Sequence, residues 1–408
     1  MSALRALCRL LAVLAVCAGG PVCAQPADAD EAPQISLLTF GPGEIYWQRF
    51  GHNALLVQTA DGRADVYNYG IFDFHQQNFF LNFARGQMLY RLDRTPLLPT
   101  LRQYAAEGRW VVEQQLALDA GQRRALAEFL ETNALPQNAE YRYDYFIANC
   151  STRVRDALDH VLGGQLKAQL ERQPVPISYR AEVLHLMAAE PALKLGMDLG
   201  LGAVVDAPLN QWQDGFIPMR LMASVRAARI NVGAMDERSL MSLERELVRI
   251  PDVVPEYGLP PKPPVIDLLP FLFAGLAWAA LLLLSVWLLP RSLFATLATI
   301  QVLVAGLGGL VLLLGWLATD HWGMARNLNL LLINPLWWLL LPAVLGQFRR
   351  QPRERRAWIP LGLGVVVLCA LPALLLGGQP NAHWVVLLLP PQLILLTILY
   401  WRALLARP

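Results

Sequence analysis

The sequence of 408 residues is short of charge and of cysteine. Asp, Glu, Lys and Arg make up 16% of it, against about 25% in a soluble globular chain. Hydrophobic residues reach 55%, which excludes a disordered chain, a collagen-like rod and a coiled coil. The formal net charge is +2, and no basic stripe is interleaved with aromatics. Nucleic acid is therefore not an expected partner. There is no Walker loop, no HExxH and no CxxC. Gly196, Gly200 and Gly202 are spaced glycines without a strand-then-helix setting. No nucleotide, metal or other cofactor is expected. No internal repeat is visible.

The cysteines are Cys8, Cys17, Cys23, Cys150 and Cys369. Three fall in the first 24 residues, and Cys369 sits in an apolar run. A leader removed on export would leave Cys150 as the only thiol of the exported region. No internal disulfide is then open to that region. A lone thiol in an oxidising compartment is a liability unless it is buried or used.

The first residues have the pattern of such a leader. Arg5 and Arg9 precede the apolar run 10–18, Gly19-Gly20-Pro21 breaks it, and Val22-Cys23-Ala24 precedes Gln25. This reads as a signal peptide over 1–24, cleaved after Ala24. The run is too short to span a bilayer. An uncleaved anchor is the alternative, and bulky Val16 argues against a lipoprotein site at Cys17.

Long uncharged runs crowd the second half, at 270–289, 292–319, 330–348, 357–377 and 384–401. Each approaches or exceeds the roughly 20 residues that a spanning helix needs. The loop 347–356, QFRRQPRERR, carries five arginines and one glutamate, which assigns it to the cytoplasm. Counting outward puts the region before 270 outside, as the signal peptide also requires. The loop 320–329 falls on that same outer face. The expected order is an exported domain at 25–250, a proline-rich linker at 251–264 and a transmembrane domain at 265–408. The expected location is the inner (cytoplasmic) membrane, crossed several times, with the first domain in the periplasm.

The exported region reads as α+β. Strands are expected at 35–40, 53–59, 64–70, 87–92 and 110–118, with Asp61-Gly62 turning the second into the third. A helix over 119–132 has Asp119 as cap and Gln122 three on. Another over 151–162 places Val154, Ala157, Leu158 and Val161 on one face before Gly163-Gly164.

Cys150 stands at the start of that second helix. Unpaired N–H groups and the positive end of the macrodipole favour a thiolate there, and the same N–H groups suit an oxyanion. Arg153 and Arg155 add positive potential. The plainer reading is a buried, inert cysteine. A cysteine nucleophile needs a base. His160 is ten residues along the helix, about 15 Å away at 1.5 Å per residue. His185 lies in an amphipathic segment and His75 in a polar loop. His52, in Phe50-Gly51-His52-Asn53-Ala54-Leu55, enters a strand and is the best candidate. Glu113, Asp144 and Asn149 are candidate orienters of its ring, and Ser151 a candidate oxyanion neighbour. Asn53, Tyr69 and Arg153 are candidates for substrate contact. His321, with Asn327 nearby, stands at a membrane edge, where polar groups are often functional and otherwise simply solvated.

These motifs resemble the bacterial family typified by Lnb, the lipoprotein intramolecular transacylase. The resemblance rests on the Gly51-His52-Asn53 segment, on Tyr67-Asn68-Tyr69-Gly70-Ile71-Phe72, and on Asn149-Cys150-Ser151-Thr152-Arg153. Gly86 with Tyr90, Glu113-Gln114, Ser178-Tyr179-Arg180, the 199–218 segment and Asn327-Leu328-Asn329 also match. It covers roughly residues 35–340. It implies a circularly permuted papain-like or NlpC-like fold for the α+β domain; the uncharged runs add an all-α membrane domain of about five helices. It implies Cys150 as nucleophile and His52 as base. The implied reaction moves an acyl chain from the diacylglyceryl group of a lipoprotein to the α-amine of its N-terminal cysteine. A lipoprotein or lipid in the bilayer is the expected partner. Two alternatives remain: hydrolysis of a cell-wall peptide or amide bond by the same dyad, and a non-catalytic anchor for assembly or binding.

Overall fold

A computed structural model describes residues 32–233, 236–251, 266–349 and 358–405. The signal segment 1–24, nearly all of the linker and most of the arginine-rich loop fall outside the described residues.

The first domain is built on a wholly antiparallel seven-stranded sheet, in the order β11-β5-β1-β2-β3-β4-β6. Its strands are β1 (Gln34–Phe40), β2 (His52–Gln58), β3 (Ala64–Ile71), β4 (Leu89–Pro96), β5 (Val111–Leu116), β6 (Glu140–Arg142) and β11 (Met241–Val248). Small two-stranded sheets pair β7 (Pro174–Val175) with β8 (Leu209–Asn210), and β9 (Arg229–Gly233) with β10 (Asp236–Ser239). Between the strands run α1 (Phe79–Arg85), α2 (Leu97–Ala106), α3 (Ala120–Asn133), α4 (Cys150–Val161), α5 (Gln165–Leu170), α6 (Tyr179–Leu186), α7 (Pro191–Gly200), α8 (Gln211–Asp214) and α9 (Pro218–Ala227).

Both faces of the sheet are covered, so its central strands are apolar on both sides rather than alternating with polar residues. Ile35, Leu37, Leu55 and Tyr67 pack with Leu126 and Leu130 of α3 and Val154, Ala157 and Leu158 of α4. Leu38, Phe40, Ala54, Leu56 and Val66 face the other way, under Leu101 and Tyr104 of α2. Each large apolar side chain so buried contributes about 1.5–3 kcal/mol. Asp119 caps α3 through the Gln122 N–H, and Gln122 returns a bond to the Asp119 N–H.

The second domain is helical. Four helical stretches are long and apolar enough to cross a membrane: α10 (Leu269–Trp287), α11 (Arg291–Leu317), the stretch Leu328–Gly346 and α14 (Ala382–Leu405). Of the five expected runs, four coincide with these stretches, and the run 357–377 falls on the apolar helix α13 (Trp358–Leu376), which is not among them. The third run is not one helix. It winds through 3-10 turns at Leu328–Leu331 and Pro335–Leu340 into α12 (Leu341–Gly346). Pro335 cannot donate to a continuing helix, and Asn334 caps the restart through the Leu336 N–H.

The two domains are in contact. Asp198 of α7 accepts from the His383 Nε2 at 2.5 Å and the Trp384 Nε1 at 2.8 Å, both on α14. Arg180 of α6 closes this junction by donating to Asp198 and Asp206. A cavity of about 550 Å3 opens beside it, lined by Ser178, Arg180, Asp206 and His383 among others.

Candidate active site

Helix α4 begins at Cys150 because Asn149 caps it. The Asn149 Oδ1 accepts from the N–H groups of Ser151 and Thr152, each at 2.9 Å, and Thr152 Oγ1 accepts from the Asn149 N–H at 2.8 Å. This is the reciprocal cap of a helix N-terminus. The Asn149 amide also donates to the Tyr145 and Phe216 carbonyls, at 2.9 Å each. Ser151 Oγ lies 2.6 Å from the Gly215 oxygen and 2.9 Å from the Asn53 Oδ1. The start of α4 is thus pinned from three directions, and Asn149 and Ser151 serve that end. The Ser151 N–H is shared with the cap, so of the two nearest helix-start amides that of Cys150 is the freer to meet an oxyanion.

The half-buried Cys150 lies against β3 at Gly70, where a built Cβ would stand 3.3 Å from the Cys150 Cβ. Its sulfur faces the backbone N–H groups of Asn53, Ser151 and Cys150 itself. Burial pushes the thiol above its ordinary value, against those amides and the charge of Arg109. The sequence-based expectation of a lowered thiol is therefore corrected. Helix-end N–H groups do act on the sulfur, but desolvation outweighs them.

His52 opens β2 and is next in the chain to the Asn53 amide that faces the sulfur. Successive strand residues point to opposite faces. Asn53 turns toward α4, while the His52 ring lies 5.5 Å from the Phe40 ring, which stacks on Tyr104, itself within electrostatic reach of the Cys150 sulfur. There its Nε2 lies 3.2 Å from the Asn68 Oδ1. Asn68 is held in turn by donating to Thr95 Oγ1 at 3.0 Å. Burial lowers the imidazole to about 4, opposed by the Asn68 bond and aided by Arg109. Among the described residues no hydrogen bond joins Cys150 to His52. Thiol and imidazole are both neutral at pH 7.

The group bonded to the His52 ring is Asn68, not Glu113, Asp144 or Asn149. Glu113 accepts from Ser36 Oγ and Arg245 Nε and so ties β1, β5 and β11 together. Asp144 accepts from the Phe146 and Ile147 N–H groups and from the Trp322 Nε1. Asn53 is spent on Thr39 and Ser151. Arg153 stacks 4.5 Å over the Tyr141 ring and 5.7 Å from that of Tyr69. Asn327 holds the end of α7 by donating to the Leu199 and Gly200 carbonyls. The His321 Nε2 lies 2.9 Å from the Phe83 carbonyl, and its ring stacks on Tyr145.

Asn68 is not among the sequence-predicted site residues, although it lies in the Tyr67–Phe72 segment. Its signal is a polar residue between two aromatics in an apolar strand. Arg109 was missed as well. It is buried, donates to the Gly41 carbonyl at 2.8 Å and stacks on Tyr104. A third omission is an aromatic wall. Phe72, two residues past Gly70, lies 5.2 Å from the Tyr90 ring, and Tyr90 stacks on Tyr143 at 4.1 Å.

The cavity at the domain junction is a poorer candidate. Arg180, its strongest charge, already donates to Asp198, Asp206 and the carbonyls of Leu201 and Gly202. Among the described residues no group of three or more His, Cys, Asp or Glu is placed to hold a metal ion.

Residues 27–184 match the family model of the Lnb N-terminal periplasmic domain, and residues 264–405 match that of the Lnb transmembrane domain. No curated protein and no solved structure matches the chain significantly.

Proposed function

The chain belongs to the Lnb family, carrying its periplasmic and transmembrane domains in order, and from that premise we propose that it is a thiol-dependent acyltransferase acting on lipoproteins at the inner membrane. The α+β domain is then a permuted papain-like unit, with histidine before cysteine in the chain. The observation that carries the reading is the Cys150 sulfur at a capped helix start, against the Asn53 amide next to His52.

The steps balance as follows. His52 takes the proton of the Cys150 thiol as the sulfur attacks an ester carbonyl of the diacylglyceryl group. The Cys150 N–H at the helix start steadies the oxyanion. The ester C–O bond breaks, and His52 returns its proton to the departing glyceryl oxygen, leaving a lyso lipoprotein and a thioester. The α-amine of the lipoprotein's N-terminal cysteine then attacks the thioester. The C–S bond breaks, the thiolate takes the proton released by the amine, and the thiol is restored. A neutral thiol and a neutral imidazole are the right starting forms for this exchange. The missing Cys150–His52 hydrogen bond is compatible with it, because such contacts tighten when substrate binds.

Hydrolysis of a cell-wall peptide by the same pair is the second reading. An open polar groove would favour it. The aromatic residues beside Gly70 favour an acyl chain instead. The test is the intact mass of an endogenous lipoprotein from cells carrying the wild-type protein or Cys150→Ala. The proposal expects one acyl chain to return from the N-terminal amine to the glyceryl ester in the variant. An unchanged lipoprotein would overturn it.

A further inference from the structure

Helix α1 exposes apolar side chains where a periplasmic domain would ordinarily be polar. Phe80 is 74% exposed, and Leu81 and Phe83 beside it are also exposed. Patches of this kind mark a membrane or partner surface. Its position decides which. The Arg85 carbonyl accepts from the Asp320 N–H at 2.8 Å, and the Phe83 carbonyl lies 2.9 Å from the His321 Nε2. Gln87 adds a bond to the Asp320 carboxylate at 3.1 Å. Asp320 and His321 follow directly on α11, a helix of 27 residues able to cross a membrane, which ends at Leu317. Helix α1 is therefore fixed to the rim of a membrane-spanning helix, on its periplasmic side. Leu314 and Leu317 in the last turn of α11 are exposed as well.

The apolar surface continues inward from α1. Phe79 lies 5.0 Å from the Phe74 ring and 6.2 Å from Phe72. Trp47, 41% exposed, stands across from Phe72 and Phe74 at 6.2 Å each. Phe72 is two residues from the Gly70 that touches Cys150. From the exposed face of α1 a series of rings runs through Phe79, Phe72 and Tyr90 to Tyr143, which lies within electrostatic reach of the Cys150 sulfur.

We propose that α1 is immersed in the periplasmic leaflet of the bilayer, and that lipid acyl chains pass from it along the Trp47–Phe72 ring series to Cys150. This rests on the acyltransferase reading for the destination of the chain, but not for the immersion of α1. The polar rim of His321 and Asp320 marks the headgroup level. The apolar face of α1 lies below it, as in interfacial helices.

The test uses the full chain in vesicles of phosphatidylethanolamine and phosphatidylglycerol. A photoreactive benzoylphenylalanine replaces Phe80, and in a control it replaces Leu98, an exposed residue of α2. Irradiation followed by mass spectrometry is expected to give phospholipid adducts at position 80 and not at position 98. Water quenching at position 80, equal adduct yields at both positions, or adducts only to another protein would overturn the proposal. A second variant carries Phe80→Ser with Leu81→Ser. It is expected to lower acyl transfer on a diacylated lipopeptide carried in the vesicles roughly tenfold, while iodoacetamide labels Cys150 at the wild-type rate. Unchanged transfer would count against the proposal. The two readings fail separately. Lipid adducts at position 80 without any acyl transfer by the wild-type protein would sink the acyltransferase alone, and acyl transfer with position 80 in water would sink the immersed helix alone.

Discussion

His52 Nε2 and Asn68 Oδ1 lie 3.2 Å apart, in a bond that joins the start of β2 to the far part of β3. Because Asn68 is itself held by Thr95, the acceptor is rigid. An acceptor oxygen at Nε2 keeps the proton on that nitrogen and leaves Nδ1 to take one.

The first prediction follows from that bond. Asn68→Ala frees the ring without removing it. The expected result is a fall in kcat of roughly a hundredfold, the scale of losing one well-placed catalytic orientation, with KM near the wild-type value. Asn68→Asp keeps an acceptor at the same place and is expected to restore part of the loss. Steady-state kinetics on a diacylated lipopeptide checks both. A rise in KM alone would assign Asn68 to substrate binding instead.

The pH dependence is the second. Burial holds the Cys150 thiol above its ordinary value, so its alkylation by iodoacetamide is expected to be half-maximal above pH 8.5, the value of a free thiol (about 8.5). Burial holds His52 at about 4, so the imidazole is in its base form at every pH above that. The acid limb of kcat/KM should then fall near pH 4, well below the histidine range of about 6.5. An acid limb at 6.5 would show that His52 is solvated in the working enzyme, or is not the base.

Gly70 carries the third. Its φ is +89°, a region that an alanine occupies at a cost of roughly 1–2 kcal/mol. A methyl group there would also press on the Cys150 Cβ at 3.3 Å. Gly70→Ala is expected to slow both alkylation of Cys150 and acyl transfer by roughly tenfold or more, since this strain must be relieved by moving the thiol. Wild-type rates for both would mean that β3 gives way without displacing Cys150.

Much of this fold was legible because its signals are local. The Asp61-Gly62 turn, the Asp119 and Gln122 cap and the apolar face of α4 each lie within a dozen residues, and β2, β3, α3 and α4 fall within one residue of expectation, whereas β4 runs to Pro96 rather than ending at Leu92. The apolar runs of the second domain were legible for the same reason. What was not legible is long-range. Nothing near Met241 says that β11 returns to pair with β5. Nothing near Asp198 announces a partner at His383. At the site, Cys150 and His52 were legible from residue type and setting, but the partner of the His52 ring depends on which strand residues share a face. Asn68 meets His52 only after β2 and β3 pair. The thiol pKa went the other way from the helix-start argument because burial, which local sequence does not report, is the larger effect.

The domain junction supports a fourth prediction. Asp198 and His383 are each 2% exposed, and Arg180 is buried with them. Removing one member of such a buried charged network typically costs about 3–5 kcal/mol, because the others are left without a partner. Asp198→Asn is expected to lower the melting temperature of the full chain in detergent. It should also speed proteolytic separation of the periplasmic and membrane domains. His383→Gln, which can still donate to Asp198, should lose less. If the two domains separate no faster in Asp198→Asn, α1 and the 320–327 loop suffice to hold them.

A fifth prediction concerns Glu182 on α6 and Asp214 on α8, which share one arginine. Arg220 Nε is 3.1 Å from the Glu182 Oε1 and 3.7 Å from the Asp214 Oδ2. The Glu182 Oε2 and Asp214 Oδ1 are buried without a donor, and a proton shared by the two carboxyls satisfies both. Burial, followed by the Asp214 charge, pushes Glu182 up to about 8. A pKa raised in the folded state stabilises fully below the unfolded value of 4.5 and is lost as pH rises through 8. Stability should therefore fall from about pH 5 to pH 8 with a slope of about one proton, and level off above that. Glu182→Gln carries its own hydrogens and is expected to flatten that limb. The consequence reaches the active site, because Gly215 and Phe216, next in the chain to Asp214, grip the start of α4 through Ser151 and Asn149. Thermal melts across that range, with Cys150 labelling in parallel, compare the two proteins. Equal pH slopes in both would mean that the carboxyl pair does not hold a proton.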